Sequence, residues 1–210
     1  CHPEPKRMIR KIFALGLLLA PLAVVAQWLF VYIVKRYAPG MDVSNSSIFF
    51  LWAAFVEEVV KFLAVYYVVV HNAEFEEPID AMIYMVTAAM GFAAIENVLV
   101  LFKNIPDGVA ITGQVLILRF FGATLLHALS SALVGYFFSL AWFHQQHRRK
   151  FIWFGIAAAS VFHFTFNIVL LGFSPVTGLL SSSFLLVLML FLVSMLFIKV
   201  ADRSPTRIMV

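Results

Sequence analysis

Two adjacent carboxylates and an ammonium, Glu57, Glu58 and Lys61, sit inside the apolar run 48–70. A charge at the centre of a membrane-spanning helix costs about 2.5–3.5 kcal/mol on insertion scales, so three together mark a functional site rather than packing. Three further apolar runs carry Glu96-Asn97, His127, and His163 with Asn167 four residues on. Together these groups offer a base, an acid and hydrogen-bond donors. A desolvated glutamate beside a second one can take a proton from water, and a histidine and an asparagine one turn apart can hold the oxyanion of a scissile amide. The layer contains no nucleophile: the only cysteine is Cys1, and Ser130 and Ser131 lie about a turn deeper. Covalent catalysis is therefore disfavoured. The alternative is zinc held by Glu96, His127 and His163 with water in the fourth position, although the His-Glu-x-x-His helix motif is missing.

Plainer roles compete with this chemistry. Glu57, Glu58 and Lys61 would serve as an ion cluster fixing helix register, but two acids against one base leave a charge unmatched. Glu96 would pair with Lys61, and His127, His163 and Asn167 would act as interhelical glue. Arg119 is expected at the interface, His71, His144 and His147 in solvated loops, and Gln27 and Thr87 as helix-to-helix hydrogen bonders.

The elements that must position these groups are helices. Of 210 residues, 63% are hydrophobic and 12% charged, and the mean hydropathy is +0.97. A soluble domain carries about 25% charge. The runs are apolar all round, which excludes the alternation of a barrel strand. Apolar runs of about 20 residues predict six spans at 12–34, 48–70, 79–102, 120–143, 151–171 and 179–200. Breaks such as Pro39-Gly40, Glu76-Glu77-Pro78, Pro106-Asp107-Gly108 and Ser174-Pro175 separate them. The stretch 109–119 either extends the fourth span or lies along the interface. The fold class is thus an all-α polytopic bundle, with a polar cavity formed by its second to fifth helices.

Ten basic residues fall on one side: Lys6, Arg7, Arg10, Lys11, Arg148, Arg149, Lys150, Lys199, Arg203 and Arg207. Four fall on the other: Lys35, Arg36, Lys103 and Arg119. The positive-inside rule then puts both termini of a multi-pass cell-membrane protein in the cytoplasm. The same clustering accounts for the net charge of +4 without nucleic acid. At 1.5 Å per residue, Glu57, Glu96, His127 and His163 all fall about 9–14 Å below the outer boundary of their spans. Glu57 and Lys61 share a helix face, as do His163 and Asn167, and Gly91 with the neighbouring alanines permits close helix approach. One cysteine permits no intrachain disulfide, and a chain that does not begin with methionine leaves room for a lost upstream segment.

Glu57-Glu58-x-x-Lys61, Phe92-x-x-x-Glu96-Asn97, His127 followed by Gly135, and His163-x-x-x-Asn167 resemble, in order, the motifs of PrsW-type intramembrane proteases. More distantly they resemble the CAAX prenyl endopeptidase and bacteriocin-processing (CPBP/Abi) superfamily, whose Glu-Glu-x-x-x-Arg spacing differs from that of Lys61. The resemblance covers about 48–171 and implies a single transmembrane protease domain over 1–210. It implies Glu57 as general base, Glu58 as its partner, His127 polarising the water or the carbonyl, and His163 with Asn167 at the oxyanion. Lys61 and Asn97 would be charge and structural partners, and Glu96 stands where the distant relatives carry histidine. The partner implied is a membrane-protein substrate such as an anti-sigma factor, cut near the extracytoplasmic side by glutamate-activated water. No cofactor is expected, with zinc as the alternative that the classing of the family among metalloproteases carries. Two other function classes fit the same carboxylates: a proton- or cation-coupled transporter, and a scaffold that binds transmembrane helices.

Overall fold

Punctuation residues set where each helix starts. In the computed structural model, which describes residues 4–202 except 71 and 73, α1 spans Lys6–Tyr37 and α2 Ser47–Val69, the latter capped by the Ser46 hydroxyl on the Phe49 amide. Helix α3 (Pro78–Asn104) begins with a capping box between Glu77 and Asp80, with Pro78 in the first turn, where its missing N–H costs nothing. A 3-10 turn at Ile105–Asp107 follows, and Gly108 takes φ 97°, a conformation open to glycine. Then come α4 (Val109–Arg119), a π-helical turn (Phe120–Thr124) and α5 (Leu125–Phe143). Helix α6 covers Arg148–Gly172, and α7 covers Pro175–Ala201 behind a Ser174 cap. Cys1, His71, Arg203 and Arg207 lie outside the described residues.

The stretch 109–119 therefore extends the fourth span: α4, the π turn and α5 form one helical unit, Val109–Trp142. Five units are long and apolar enough to cross a membrane: α1, α3, α4–α5, α6 and α7. Helix α2 has 23 residues, about 34 Å, which suffices for the sixth crossing, and differs from the rest by carrying Glu57, Glu58 and Lys61. No strand occurs among the described residues.

Helix α3 is the central post, with Met82, Tyr84, Met85, Ala88, Ala89 and Phe92 buried. Helix α1 lies against it so closely that a side chain at Gly16 would strike the Ala88 carbonyl, and one at Gly91 the Phe13 carbonyl. On the other flank, a Cβ at Gly135 of α5 would come within 2.6 Å of the Met82 Cα. Hydrophobic force is weak between helices in lipid, so such small-residue contacts supply the dispersion and backbone approach that hold the bundle. Phe62 of α2, Phe138 of α5 and Phe75 extend the core. Many other aromatic and aliphatic groups, among them Trp28, Phe121, Phe184 and Phe191, face outward, as lipid contact requires.

Candidate active site

Helix α2 delivers Glu57, Glu58 and Lys61 to the bundle interior, all buried. The ammonium pairs with Glu58 at i,i+3, with Nζ to Oε1 2.6 Å, and not with Glu57 or Glu96. Its face with Glu57 is shared, but the α5 side lies nearer Glu58. There the Ser130 and Ser131 hydroxyls donate to Glu58 at 2.8 and 3.1 Å. His163 Nδ1 completes the shell of Glu58 at 3.1 Å. Four groups thus converge on one carboxylate, which is how a buried anion is tolerated. Lys61 also lies 5.1 Å from the Phe92 ring centroid.

The contacts assign the imidazole protons. An ammonium can only donate, so Lys61 Nζ, 3.0 Å from His127 Nδ1, makes that nitrogen an acceptor. His127 Nε2 then carries the proton and donates to Glu96 Oε2 at 2.9 Å. By the same logic His163 Nδ1 donates to Glu58, and His163 Nε2 faces Glu57 Oε2 at 3.7 Å. His127 Nδ1 is 3.9 Å from that oxygen. Glu57 Oε1 accepts from the Gln27 amide of α1 at 2.9 Å, whereas Oε2 is buried without a hydrogen-bond partner. Two acceptors, Glu57 Oε2 and His163 Nε2, therefore face each other at 3.7 Å with no proton between them, an arrangement that calls for a shared donor such as a water beside the pair.

A second tier backs the first. Arg119 Nη2 reaches Glu96 at 3.1 Å and Nε reaches Asn97 Oδ1 at 2.9 Å, while the Asn97 amide donates to Thr124 at 3.0 Å. Arg119 was expected at the interface, and the π turn explains why it turns inward. Eight residues separate it from His127, an offset of about 80° on a regular α-helix. The π turn absorbs one residue, so the pair behaves as if seven apart, within about 20° of one face. Both can then meet Glu96.

Four of the expected site residues, Glu57, Glu58, His127 and His163, meet directly, and Glu96 joins through His127. Asn167 does not bond to this cluster; it lines a groove beside it with Arg119. Ser130, Ser131, Arg119 and Thr124 are site residues that the sequence pattern places elsewhere or does not single out. Gln27 is the helix-to-helix hydrogen bonder expected of it, and its acceptor is Glu57, so α1 joins the cavity. Thr87 bonds instead to the Ile83 carbonyl of its own helix. Glu57 is ten residues, about 15 Å, into α2, close to the ~9–14 Å expected from the start of its span.

The donor chemistry fits a divalent metal. Glu57, His127 and His163 place one ligand atom each within 4.8 Å of one another. Each imidazole is backed by a carboxylate on its other nitrogen, the usual outer shell of a metal-bound histidine. In the expected zinc set, Glu96 stood where Glu57 converges. Lys61 is the competing cation, since it holds the His127 lone pair that ligation would use.

The sequence profile of the PrsW family of intramembrane metalloproteases matches residues 4–197. The chain belongs to the PrsW family. Protease PrsW of Geobacillus kaustophilus is 32% identical over 80% of this chain and 69% of its own length. Protease PrsW of Oceanobacillus iheyensis is 29% identical over 85% and 77%, and that of Bacillus subtilis 27% over 81% and 73%. No solved structure matches. As a PrsW family member the protein is an intramembrane protease, which sets aside the transporter and scaffold readings.

Proposed function

We propose that the protein hydrolyses a peptide bond in a membrane-protein substrate, of which a membrane-bound anti-sigma factor is the example the family resemblance supplies, with Glu57 as the base. The observation that carries this is the unpartnered Glu57 Oε2, buried and 3.7 Å from an imidazole acceptor. A water beside the pair, hydrogen-bonded to both, gives one proton to Glu57 as its oxygen attacks the scissile carbonyl, and His163 Nε2 orients it. Gln27 fixes the second oxygen of Glu57, so that the basic one points at the water. Asn167, one turn past His163, supplies an amide donor for the oxyanion from the groove side. Protonated Glu57 then passes its proton to the departing nitrogen, and the C–N bond breaks. A divalent metal, if bound, would be held by Glu57, His127 and His163 and would supply Lewis-acid polarisation. The basic-residue asymmetry supports cytoplasmic termini and a bond presented from the extracytoplasmic half.

The test is cleavage of a tagged single-span anti-sigma factor by purified protein in lipid nanodiscs. Glu57→Gln is expected to lower the rate by about 10²–10⁴-fold with unchanged melting, and full activity of that variant rejects the base. Loss of activity on chelation, restored by zinc, selects the metal version; chelator resistance selects the metal-free one.

A further inference from the structure

A groove of about 610 Å³ opens towards lipid between α4 with the π turn, α6 and α7. Its walls are apolar, with Leu118, Phe121, Leu170 and Leu179. Its lining also holds two polar side chains that are partly buried, Arg119 and Asn167, besides the exposed Ser183 and Ser182, whose hydroxyl bonds its own helix at Leu179. Arg119 bonds Glu96, which holds His127, and Asn167 sits one turn from His163. The groove therefore adjoins the catalytic layer through Arg119 and Asn167. A hollow of about 370 Å³ on the α1–α2–α6 side, lined by Leu51, Phe55 and Val161, is apolar but for Ser160, whose hydroxyl bonds its own helix at Ile156.

A bond inside a transmembrane helix can be cut only after local unwinding. Each backbone group so released lacks a partner in hydrocarbon, at a cost of several kcal/mol. Guanidinium and amide donors in the lining of an apolar groove offset that cost. We infer that the α4–α6–α7 groove is the docking site of the substrate: an apolar transmembrane segment, unwound where its carbonyls meet Arg119 and Asn167. This inference rests on the hydrolytic reading and can fail separately from it.

The test uses the full chain with Glu57→Gln in phosphatidylcholine nanodiscs, so that binding is read without turnover. The probe is a Leu/Ala transmembrane peptide of about 24 residues carrying diazirine side chains. Crosslinks are expected at Leu170 and Ser183, not at Leu51 or Val161. Because Cys1 is the only cysteine, Cys1→Ser with Ser183→Cys allows a bulky maleimide to block the groove after folding. Blocking is expected to reduce labelling about tenfold, and to raise KM about tenfold at unchanged kcat in the Glu57 background, roughly one decade of affinity. Labelling at Leu51 overturns the inference. So does a diazirine-acyl phosphatidylcholine that labels Leu170 and is not displaced by the peptide, which makes the groove a lipid site. Peptide bound in the groove of a protein that never cleaves sinks only the hydrolytic reading. Undiminished cleavage with the groove blocked sinks only this one.

Discussion

Carboxylates gather in two places, and the protein handles them differently. In the middle of the bundle, Glu57, Glu58 and Glu96 meet Lys61, Arg119, two imidazoles and two serine hydroxyls. At the end of the bundle where α3 begins, the Tyr84 hydroxyl donates to the Glu4 carboxylate, and Asp80 accepts from the Glu76 and Glu77 amides at 3.0 and 2.8 Å. Burial pushes the Glu4 carboxyl up to about 7, with Asp80 and Glu77 adding to the rise. Near water, then, an acid is accommodated by taking up a proton. Deep in the bundle, fixed cations and donors hold the acids, and a single oxygen is left without a partner. What marks the reactive layer here is that two imidazoles converge on its carboxylates.

The largest effect should separate the two clusters by stability. Glu58→Ala removes the acceptor of four groups and strands Lys61, whose side chain is fully buried. It is expected to cost about 3–5 kcal/mol, and a Glu58→Leu/Lys61→Met double variant to recover most of that loss. Thermal unfolding in detergent measures both; a Glu58→Ala protein as stable as wild type breaks the comparison. Next comes Arg119→Gln, which keeps a donor towards Asn97 but removes the charge facing Glu96. It is expected to lower kcat/KM about tenfold, near 1.4 kcal/mol, with little change in melting. A loss as large as that of Glu57→Gln would move Arg119 into the reacting layer.

The smallest effect lies at Glu4. Its carboxyl is raised in the folded protein, so the protonated form is favoured there. The stabilisation is fully present below the unfolded value of 4.5 and is lost as pH rises through about 7. The group is half-buried, which limits the contribution to less than about 1 kcal/mol. The protection of amides at the start of α1, measured against their intrinsic exchange rates, should therefore fall between pH 5 and 8, and Glu4→Gln should flatten that dependence without changing cleavage. Protection that does not change with pH would mean that Tyr84 alone holds Glu4.

Helix number, the breaks between helices and the identity of the ionisable layer were legible because bilayer length, glycine and proline punctuation and buried charge are local properties of the chain. Gly91 was legible for the same reason, as a small residue in an apolar run. The partners of the charged groups were not. Lys61 stands four residues from Glu57 and three from Glu58, both spacings that pair on a helix, and only the position of Ser130, Ser131 and His163 across the interface decides between them. Arg119 stands just before the fourth span, where a regular helix would turn it away from His127, and a single π turn reverses that. Asn167 shares a helix face with His163, yet the space between α6 and α7 places it in the groove.

By itself the sequence determined that acids and imidazoles occur at similar depths in membrane-spanning helices, since rise per residue is the same in each. Tertiary structure alone decided which carboxylate oxygen stays unpaired. That depends on where six helices put their donors relative to one another, and no spacing along a single helix contains it.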